Sequence, residues 1–179
     1  DVHETKQIDK LESLLDIIQI PAFLCRQTDL ISVAAQTKKI VNVKKGQFLS
    51  HREVENIILK IENQNNNRIL ITERGNSFGY NYLINDFKGI HFMKQFGYPI
   101  VFDSTHSVQL PGGMGIKSGG AREYVVPLSK SAASLRLAGF FIETHPNPEK
   151  ALSDGPNMMH LHNMPKLLNS INKINKAAK

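Results

Sequence analysis

Residues 39–45 read Lys39-Ile40-Val41-Asn42-Val43-Lys44-Lys45, a short run rich in aliphatic residues that ends on two lysines. Short apolar runs of this kind are typical of strands buried on both faces of a parallel sheet. An apolar run followed by charged or imidazole groups recurs at Thr72-Glu73-Arg74-Gly75, Phe102-Asp103-Ser104-Thr105-His106 and Ile142-Glu143-Thr144-His145. Because side chains at the carboxyl ends of parallel strands converge on one mouth, the pattern predicts an α/β barrel with its chemistry at one rim.

Helical patterns alternate with the predicted strands. The strands are expected over 16–20, 39–43, 68–72, 99–103 and 137–142. The clearest helix follows the capping-box sequence Ser50-His51-Arg52-Glu53, because apolar residues recur after it at the spacing of one helix face. Further helices are predicted over 27–36, 82–95 and 121–136 and after Pro165. The apolar residues expected to be buried on these helices are Val54, Ile57, Ile58, Ile61, Leu83, Phe87, Ile90, Met93, Leu167, Leu168, Ile171 and Ile174.

The alternation predicts βα units with right-handed crossovers around a parallel sheet. Five such units do not close an eight-stranded barrel, which typically takes about 250 residues. Asp1-Val2-His3-Glu4, which is followed by a helix-like stretch, resembles the end of another strand. We therefore expect a single, partial barrel domain over residues 1–179.

Composition narrows the class of protein. The 179 residues, 41% hydrophobic and 21% charged, are enough for one sizeable core. No apolar stretch approaches the roughly 18 residues that a membrane span needs, and the first residues lack a signal-peptide pattern, so a soluble intracellular protein is expected. The single cysteine, Cys25, excludes an internal disulfide framework, and burial as a small apolar residue is its ordinary interpretation.

A net charge of +6 raises the question of a nucleic-acid partner. The basic residues are scattered, apart from Lys44-Lys45 and a C-terminal group of Lys173, Lys176 and Lys179, and no aromatic-basic ladder is present. The distribution argues against a nucleic-acid partner. A positive excess serves equally well to attract small anionic substrates such as sugar phosphates.

Six blocks of the chain occur in the order and spacing of one known family. They are the block from Gln19 to Leu30, the block from Asn42 to Phe48, Glu73-Arg74-Gly75 with Phe78-Gly79-Tyr80, the stretch from Phe102 to Gly113, Glu143-Thr144-His145-Pro146, and Leu152-Ser153-Asp154-Gly155-Pro156-Asn157. In these blocks the chain resembles 3-deoxy-D-manno-octulosonate 8-phosphate synthase, also called 2-dehydro-3-deoxyphosphooctonate aldolase. The resemblance runs from Asp1 to about residue 170.

The resemblance implies a fold and a reaction. The family is a (β/α)8 TIM barrel, of which this chain would supply the end of strand 3 through helix 8. Its members condense phosphoenolpyruvate with arabinose 5-phosphate and water, giving an eight-carbon sugar acid phosphate and inorganic phosphate. A cytoplasmic step in lipopolysaccharide biosynthesis and a homotetramer are the expected context.

The resemblance also implies a binding site for phosphoenolpyruvate. Lys44 and Arg74 match the family's contacts to this polyanion, with Gln19 beside them. The planar guanidinium of arginine can bind phosphate in two places, whereas lysine acts as a compact charge. The ordinary alternative for both is a solvated surface charge.

A second group of residues matches the metal-dependent branch of the family. There His106, Glu143 and Asp154 join a cysteine of strand 1, which this sequence does not contain, around a divalent ion. A mixed set of N, O and S donors suits zinc, iron or manganese more than magnesium. The resemblance implies three catalytic candidates, His106, Lys44 and Asp154. Of these, His106 would also face substrate. No organic cofactor is implied. From the sequence alone, a histidine at a strand end is more often structural.

The aldose site is implied by three residues. In the family, the counterpart of Arg26 reaches across a subunit interface to the sugar phosphate, while Asp1 and the turn with Phe23 border the sugar. Phe23 has an alternative as an interface or core aromatic residue. Asp103 is expected either to orient the metal shell or to be satisfied by backbone donors.

The glycine-rich stretch 111–120 resembles the family's lid, which closes over the substrate and excludes water. The alternative is a passive linker. Arg122, just after it, would lie at the beginning of helix 7.

Two other functions stay open at this stage. One is the sister synthase of the aromatic pathway, which uses erythrose 4-phosphate, although the blocks at 19–30 and 42–48 favour the octulosonate enzyme. The other is a non-catalytic barrel remnant, since an open barrel would expose strand edges.

Overall fold

The computed structural model describes residues 1–110 and 119–178, which form a mixed α/β fold. The helices in these residues are α1 (Thr5–Leu11), α2 (Thr28–Gln36), α3 (Val54–Glu62), α4 (Phe87–Met93), α5 (Val125–Ala133) and α6 (Met164–Ala177). The strands are β1 (Ile17–Ile20), β2 (Ile40–Lys44), β3 (Ile69–Glu73), β4 (Asn76–Ser77), β5 (Leu83–Ile84), β6 (Ile100–Asp103), β7 (Gln109–Leu110), β8 (Gly119–Gly120), β9 (Gly139–Phe141), β10 (Thr144–His145) and β11 (Met159–His160).

The chain divides into two compact units. Asp1–Glu73 and Lys88–Ile100 form the first unit, and Arg74–Phe87 and Val101–Lys179 form the second. Strand β6 begins in the first unit and continues into the second.

The first unit is built on three parallel strands, β1, β2 and β3. Its core consists of aliphatic side chains from these strands and from helices α2 and α3. Val41 pairs with Ile18 on one side and with Ile69 on the other, and all three are nearly inaccessible to solvent. Because β2 is buried on both faces, it is apolar at nearly every position up to Lys44, as expected for a central parallel strand.

The second unit contains a parallel strand pair, β6 with β9, and a second parallel pair, β10 with β11. Two short antiparallel pairs, β4 with β5 and β7 with β8, accompany them. Its core is formed where α5 and α6 pack together, around Val108, Val125, Ala133, Met159, Leu167 and Ile171.

The five predicted strands are confirmed as β1, β2, β3, β6 and β9, within two residues at each end. The capping box is also confirmed, because Ser50 and Glu53 exchange backbone and side-chain hydrogen bonds of 2.8 and 3.4 Å. Helix α3 then buries Val54, Ile57, Ile58 and Ile61 as expected.

Two details of the sequence prediction are wrong. The helix expected over 82–95 begins only at Phe87, because Leu83 and Ile84 form β5, opposite β4. Leu168 is 46% exposed, since the buried stripe of α6 follows Leu167 and Ile171 and leaves Leu168 at its edge. No strand is assigned to Asp1-Val2-His3-Glu4, and the Val2 amide donates to the Gln19 carbonyl of β1 at 3.1 Å.

Most of the stretch predicted as a lid, residues 111–118, lies outside the described residues. Its last two residues, Gly119 and Gly120, pair with β7 as strand β8. In the part of the chain that the structure covers, no helix combines the length and the apolar character required to cross a bilayer.

Candidate active site and metal centre

Three side chains of the second unit converge at the ends of β6 and β9. His106 begins the turn after β6, Glu143 follows β9, and Asp154 lies in the loop between β10 and β11. One ligand atom from each residue lies within 4.8 Å of those of the other two, and His106 Nε2 is 3.5 Å from Glu143 Oε1. The metal ligands proposed from the sequence therefore meet at one point.

Asp103 fixes the orientation of His106. Its Oδ1 accepts the backbone N–H of His106 at 2.8 Å, and its Oδ2 lies 2.8 Å from the ring Nδ1. Asp103 is fully buried, and its contact with Nδ1 favours the tautomer that carries the proton there, which leaves Nε2 on the side of Glu143. The expectation that a backbone donor satisfies Asp103 is confirmed, and the same carboxylate also contacts the His106 ring.

The other two acids are held by backbone contacts. The amide of Glu143 donates to Thr105 Oγ1 at 2.8 Å, and its carbonyl accepts from the Met159 amide at 3.0 Å. Asp154 adopts a left-handed conformation with φ of 53°, which aspartate tolerates better than most residues. Its carbonyl accepts two amides further along the chain, from Asn157 and Met158. A tight turn therefore presents the Asp154 carboxylate.

Arg122 supports the same loop. Its Nη2 donates to the Gly155 carbonyl at 2.6 Å, and its Nη1 lies 2.9 Å from Glu149 Oε1 and 3.0 Å from His160 Nε2. The hydrogen bond from Arg122 lowers the pKa of Glu149 below its usual value. As expected, Arg122 starts the segment that leads into α5, as the first residue of a turn over Arg122–Tyr124.

Gln109 joins the metal-ligand group to Arg74. Its Nε2 donates to Asp154 Oδ1 at 2.8 Å, while its Oε1 accepts from Arg74 Nη2 at 2.5 Å. Arg74 is 5% exposed and also donates to the His106 carbonyl at 3.2 Å. Sequence reasoning had not assigned a role to Gln109. Its position three residues after His106, across one turn, is the signal that could have identified it.

A polar ladder crosses the strands of the first unit. Gln19 donates to Asp1 and accepts from Asn42 Nδ2 at 2.8 Å, and Asn42 Oδ1 accepts from Thr72 Oγ1 at 2.7 Å. Two of the predicted substrate residues, Asp1 and Gln19, are therefore in contact. Lys44 ends β2 and is 6% exposed, so it is not a freely solvated lysine.

The remaining predicted residues lie on a turn after β1. Phe23 is 73% exposed, so its alternative as a core residue is wrong. Arg26 is exposed too, and its carbonyl accepts from Lys60 Nζ at 2.9 Å. Cys25 is buried as expected, and burial raises the pKa of its thiol. A protonated, enclosed thiol is a poor metal ligand.

The donor set fits a divalent transition metal. One imidazole nitrogen and two carboxylate oxygens are suitable for zinc, iron or manganese, and three protein ligands leave positions open for substrate or water. The Asp103 contact adds the oriented histidine typical of such centres.

Substituting Asp103 by asparagine is expected to weaken divalent-metal binding by about 10- to 100-fold, the usual cost of losing a partner behind a metal ligand. The amide can place an N–H against Nδ1 and so favour the wrong tautomer. Competition with a chromophoric chelator measures the affinity, with Asp9→Asn on the exposed surface of α1 as the matched control. Equal affinity for Asp103→Asn and the unaltered protein would contradict the role of Asp103.

Comparison with known proteins identifies the family. The model of the DAHP synthetase I family matches residues 1–179, and the chain belongs to this family.

Curated relatives show which members of the family the chain resembles. A 2-dehydro-3-deoxyphosphooctonate aldolase of Geobacter metallireducens is 51% identical over 179 residues, which is all of this chain and 66% of the relative. Proteins with the same name from Geobacter sulfurreducens, 49% identical, and Rhodopseudomonas palustris, 51% identical, match all of the chain and 66% and 63% of their own lengths. The chain thus spans a little under two thirds of these relatives. The resemblance recognised from the sequence is confirmed.

Proposed function

We propose that this chain carries catalytic groups of a 3-deoxy-D-manno-octulosonate 8-phosphate synthase. The reaction joins phosphoenolpyruvate, D-arabinose 5-phosphate and water, and releases inorganic phosphate. The observation that carries the proposal is the identity of about half of all positions, over the whole chain, with proteins named 2-dehydro-3-deoxyphosphooctonate aldolase.

The proposal includes the (β/α)8 barrel, with this chain as one domain covering the end of strand 3 through helix 8. Parallel strands in both units support it, as does the placement of charged groups after β2, β3, β6 and β9. Catalytic groups of such barrels lie at the carboxyl ends of the strands.

Arg74 is the proposed anchor of phosphoenolpyruvate, and Lys44 is its proposed second cation. The contact of Gln109 with Arg74 limits the directions that the guanidinium can take, and an oriented guanidinium suits the recognition of phosphate and carboxylate groups. Holding the phosphate and carboxylate in place positions the nucleophilic carbon C3 for attack on an aldehyde. Gln19, held by Asn42, would contribute amide hydrogen bonds to substrate.

His106, Glu143 and Asp154 are the residues that would hold the divalent ion. When bound, such an ion polarises the aldehyde oxygen and orients water. The Asp103 contact favours the His106 tautomer with its proton on Nδ1, and Gln109 holds the Asp154 carboxylate by a hydrogen bond. These contacts restrain the ligand atoms of His106 and Asp154.

The aldose phosphate is assigned to Arg26, with Phe23 and Asp1 beside the sugar. The exposure of Phe23 and Arg26 supports their use at an interface between subunits of a homotetramer. The proposed reaction places the protein in the cytoplasm, as a transferase of lipopolysaccharide biosynthesis.

The product formed from competing aldoses tests the proposal. The intact protein, given phosphoenolpyruvate with equal amounts of arabinose 5-phosphate and erythrose 4-phosphate, is expected to form predominantly the eight-carbon acid, identified by mass spectrometry. Predominant formation of the seven-carbon acid would instead make it a 3-deoxy-D-arabino-heptulosonate 7-phosphate synthase. Folded protein that forms neither product would support the non-catalytic remnant.

A further inference from the structure

A buried group of charged side chains in the first unit has no part in the proposed reaction. Lys45 and Glu73 are each 0% exposed, and His51 is 6% exposed. Burying an ion pair away from water is costly and often gives no net stability over an apolar pair of similar volume. A gain in stability therefore does not explain why this buried group lies directly beside Lys44 in the sequence.

Lys45 ties together the segments that follow β2 and β3. Its backbone amide donates to the Thr72 carbonyl at 2.8 Å, and its Nζ lies 3.4 Å from Glu73 Oε2. The same ammonium donates to the carbonyls of Gly46 and Leu49 at 3.2 and 3.3 Å. One charge thus closes the turn after β2 and attaches it to the end of β3.

His51 extends the group to the residues that precede α3. Its Nε2 lies 3.2 Å from Glu73 Oε2, the same oxygen that faces Lys45. The imidazole packs closely against Gly89 of α4, where an added Cβ would lie only 2.1 Å from Nδ1. Only glycine leaves room for the ring in this orientation, so the position of His51 is fixed from both sides.

The buried group lies next to the ends of two neighbouring parallel strands, β2 and β3. Lys45 directly follows the last residue of β2, and its backbone amide and its ammonium both contact the last two residues of β3, so it holds the backbone beside Lys44. In the same way, Glu73 immediately precedes Arg74, the proposed anchor of phosphoenolpyruvate. The buried group restrains the backbone next to both proposed substrate cations.

We propose that Lys45, Glu73 and His51 form a positioning network that fixes the turn after β2, and with it Lys44, for anion binding. This inference rests on the proposed function for the identity of the anion. None of these three residues would touch substrate, and their effect would pass through the backbone of residues 44–49.

Glu73→Gln in the intact protein tests the network, because the amide keeps the shape and removes the charge that balances Lys45. Calorimetric titration with phosphoenolpyruvate is expected to show Kd raised at least about tenfold, since even a small misplacement of a binding group is costly. Hydrogen exchange of the amides over 44–49 is expected to accelerate, while that of β1 is unchanged. Glu12→Gln, at an exposed residue directly after α1, is the matched control for loss of a negative charge.

A pair of milder variants covers the case in which Glu73→Gln does not fold. His51→Ala is expected to reproduce both effects, and His51→Gln, which keeps a donor for Glu73, is expected to restore them. Phosphoenolpyruvate Kd within twofold of the unaltered protein together with unchanged exchange over 44–49, in folded His51→Ala, would overturn the network. If the unaltered protein binds no phosphoenolpyruvate while His51→Ala still accelerates exchange, the proposed function fails and the network stands as the anchor of this turn.

Discussion

Exhaustive chelation of the intact protein is expected to abolish synthase activity, and addition of a divalent transition ion is expected to restore it. His106, Glu143 and Asp154 supply an N, O, O donor set whose atoms lie within 4.8 Å of one another. An ion there would contribute several kcal/mol to the stabilisation of charge that develops in the transition state. Removal of the ion is therefore expected to lower the rate roughly 1000-fold or more. The measurement is the rate of phosphate release before chelation, after it, and after zinc, iron or manganese is added back.

A ligand variant separates this site from a metal bound elsewhere. His106→Ala is expected to lose both bound metal, measured by elemental analysis, and activity, and added ion is not expected to rescue it. His91→Gln, which alters an exposed histidine of α4, is the matched control and is expected to keep both. Full activity after complete removal of metal would place the protein in the metal-free branch of the synthases.

Arg74→Ala is expected to weaken the use of phosphoenolpyruvate far more than that of arabinose 5-phosphate. Arg74 is 5% exposed, and its Nη2 is held by Gln109 and the His106 carbonyl, so its loss would remove an oriented cation from an enclosed position. Loss of such a charged partner typically costs about 2–5 kcal/mol, or roughly 30- to 5000-fold in kcat/KM. The measurement is kcat/KM for each substrate, with the other one saturating.

Arg74→Lys distinguishes charge from geometry. Lysine retains the positive charge but cannot reproduce the fork of the guanidinium, so it is expected to recover only part of the loss. Arg136→Ala, at an exposed residue after α5, is the control. Equal losses for the two substrates in Arg74→Ala would contradict the assignment of Arg74 to phosphoenolpyruvate.

The parallel strands were predictable because burial on both faces leaves a simple signal. In β2, four consecutive residues from Val41 to Lys44 are buried, and the apolar run shows where the strand ends. The residues that follow such apolar runs include His106 and Glu143, two of the residues that would hold a metal. The sequence could not show by itself that His106, Glu143 and Asp154 meet, since they are distant along the chain. That step came from the family resemblance, and the structure confirms it.

The error over 82–95 has a local physical cause. Leu83 lies at helical spacing from Phe87 and Ile90, yet it belongs to the β4–β5 hairpin. Gly75 takes a φ of 92° before that hairpin, and a Cβ there would lie 3.1 Å from Leu83 Cβ. Hydrophobic periodicity does not show that Leu83 contacts Gly75, so the apolar spacing alone indicated a helix.

Gln109 and the Lys45 network were missed for a related reason. The roles of Gln109, His51 and Glu73 depend on distances between side chains that the topology brings together. Sequence spacing predicts which face or strand end a residue occupies, but not which neighbour it contacts there. Buried polar contacts of this kind were therefore found only from the coordinates.

The most direct test of the central claim is a crystal structure of the intact protein with Zn²⁺ and phosphoenolpyruvate, with the metal located by its anomalous scattering. We expect one strong peak about 2.0–2.2 Å from His106 Nε2 and from carboxylate oxygens of Glu143 and Asp154, as in comparable centres. Phosphoenolpyruvate is expected to be bound to the Arg74 guanidinium. Bound phosphoenolpyruvate remote from Arg74, or no metal peak at these three residues, would contradict the claim.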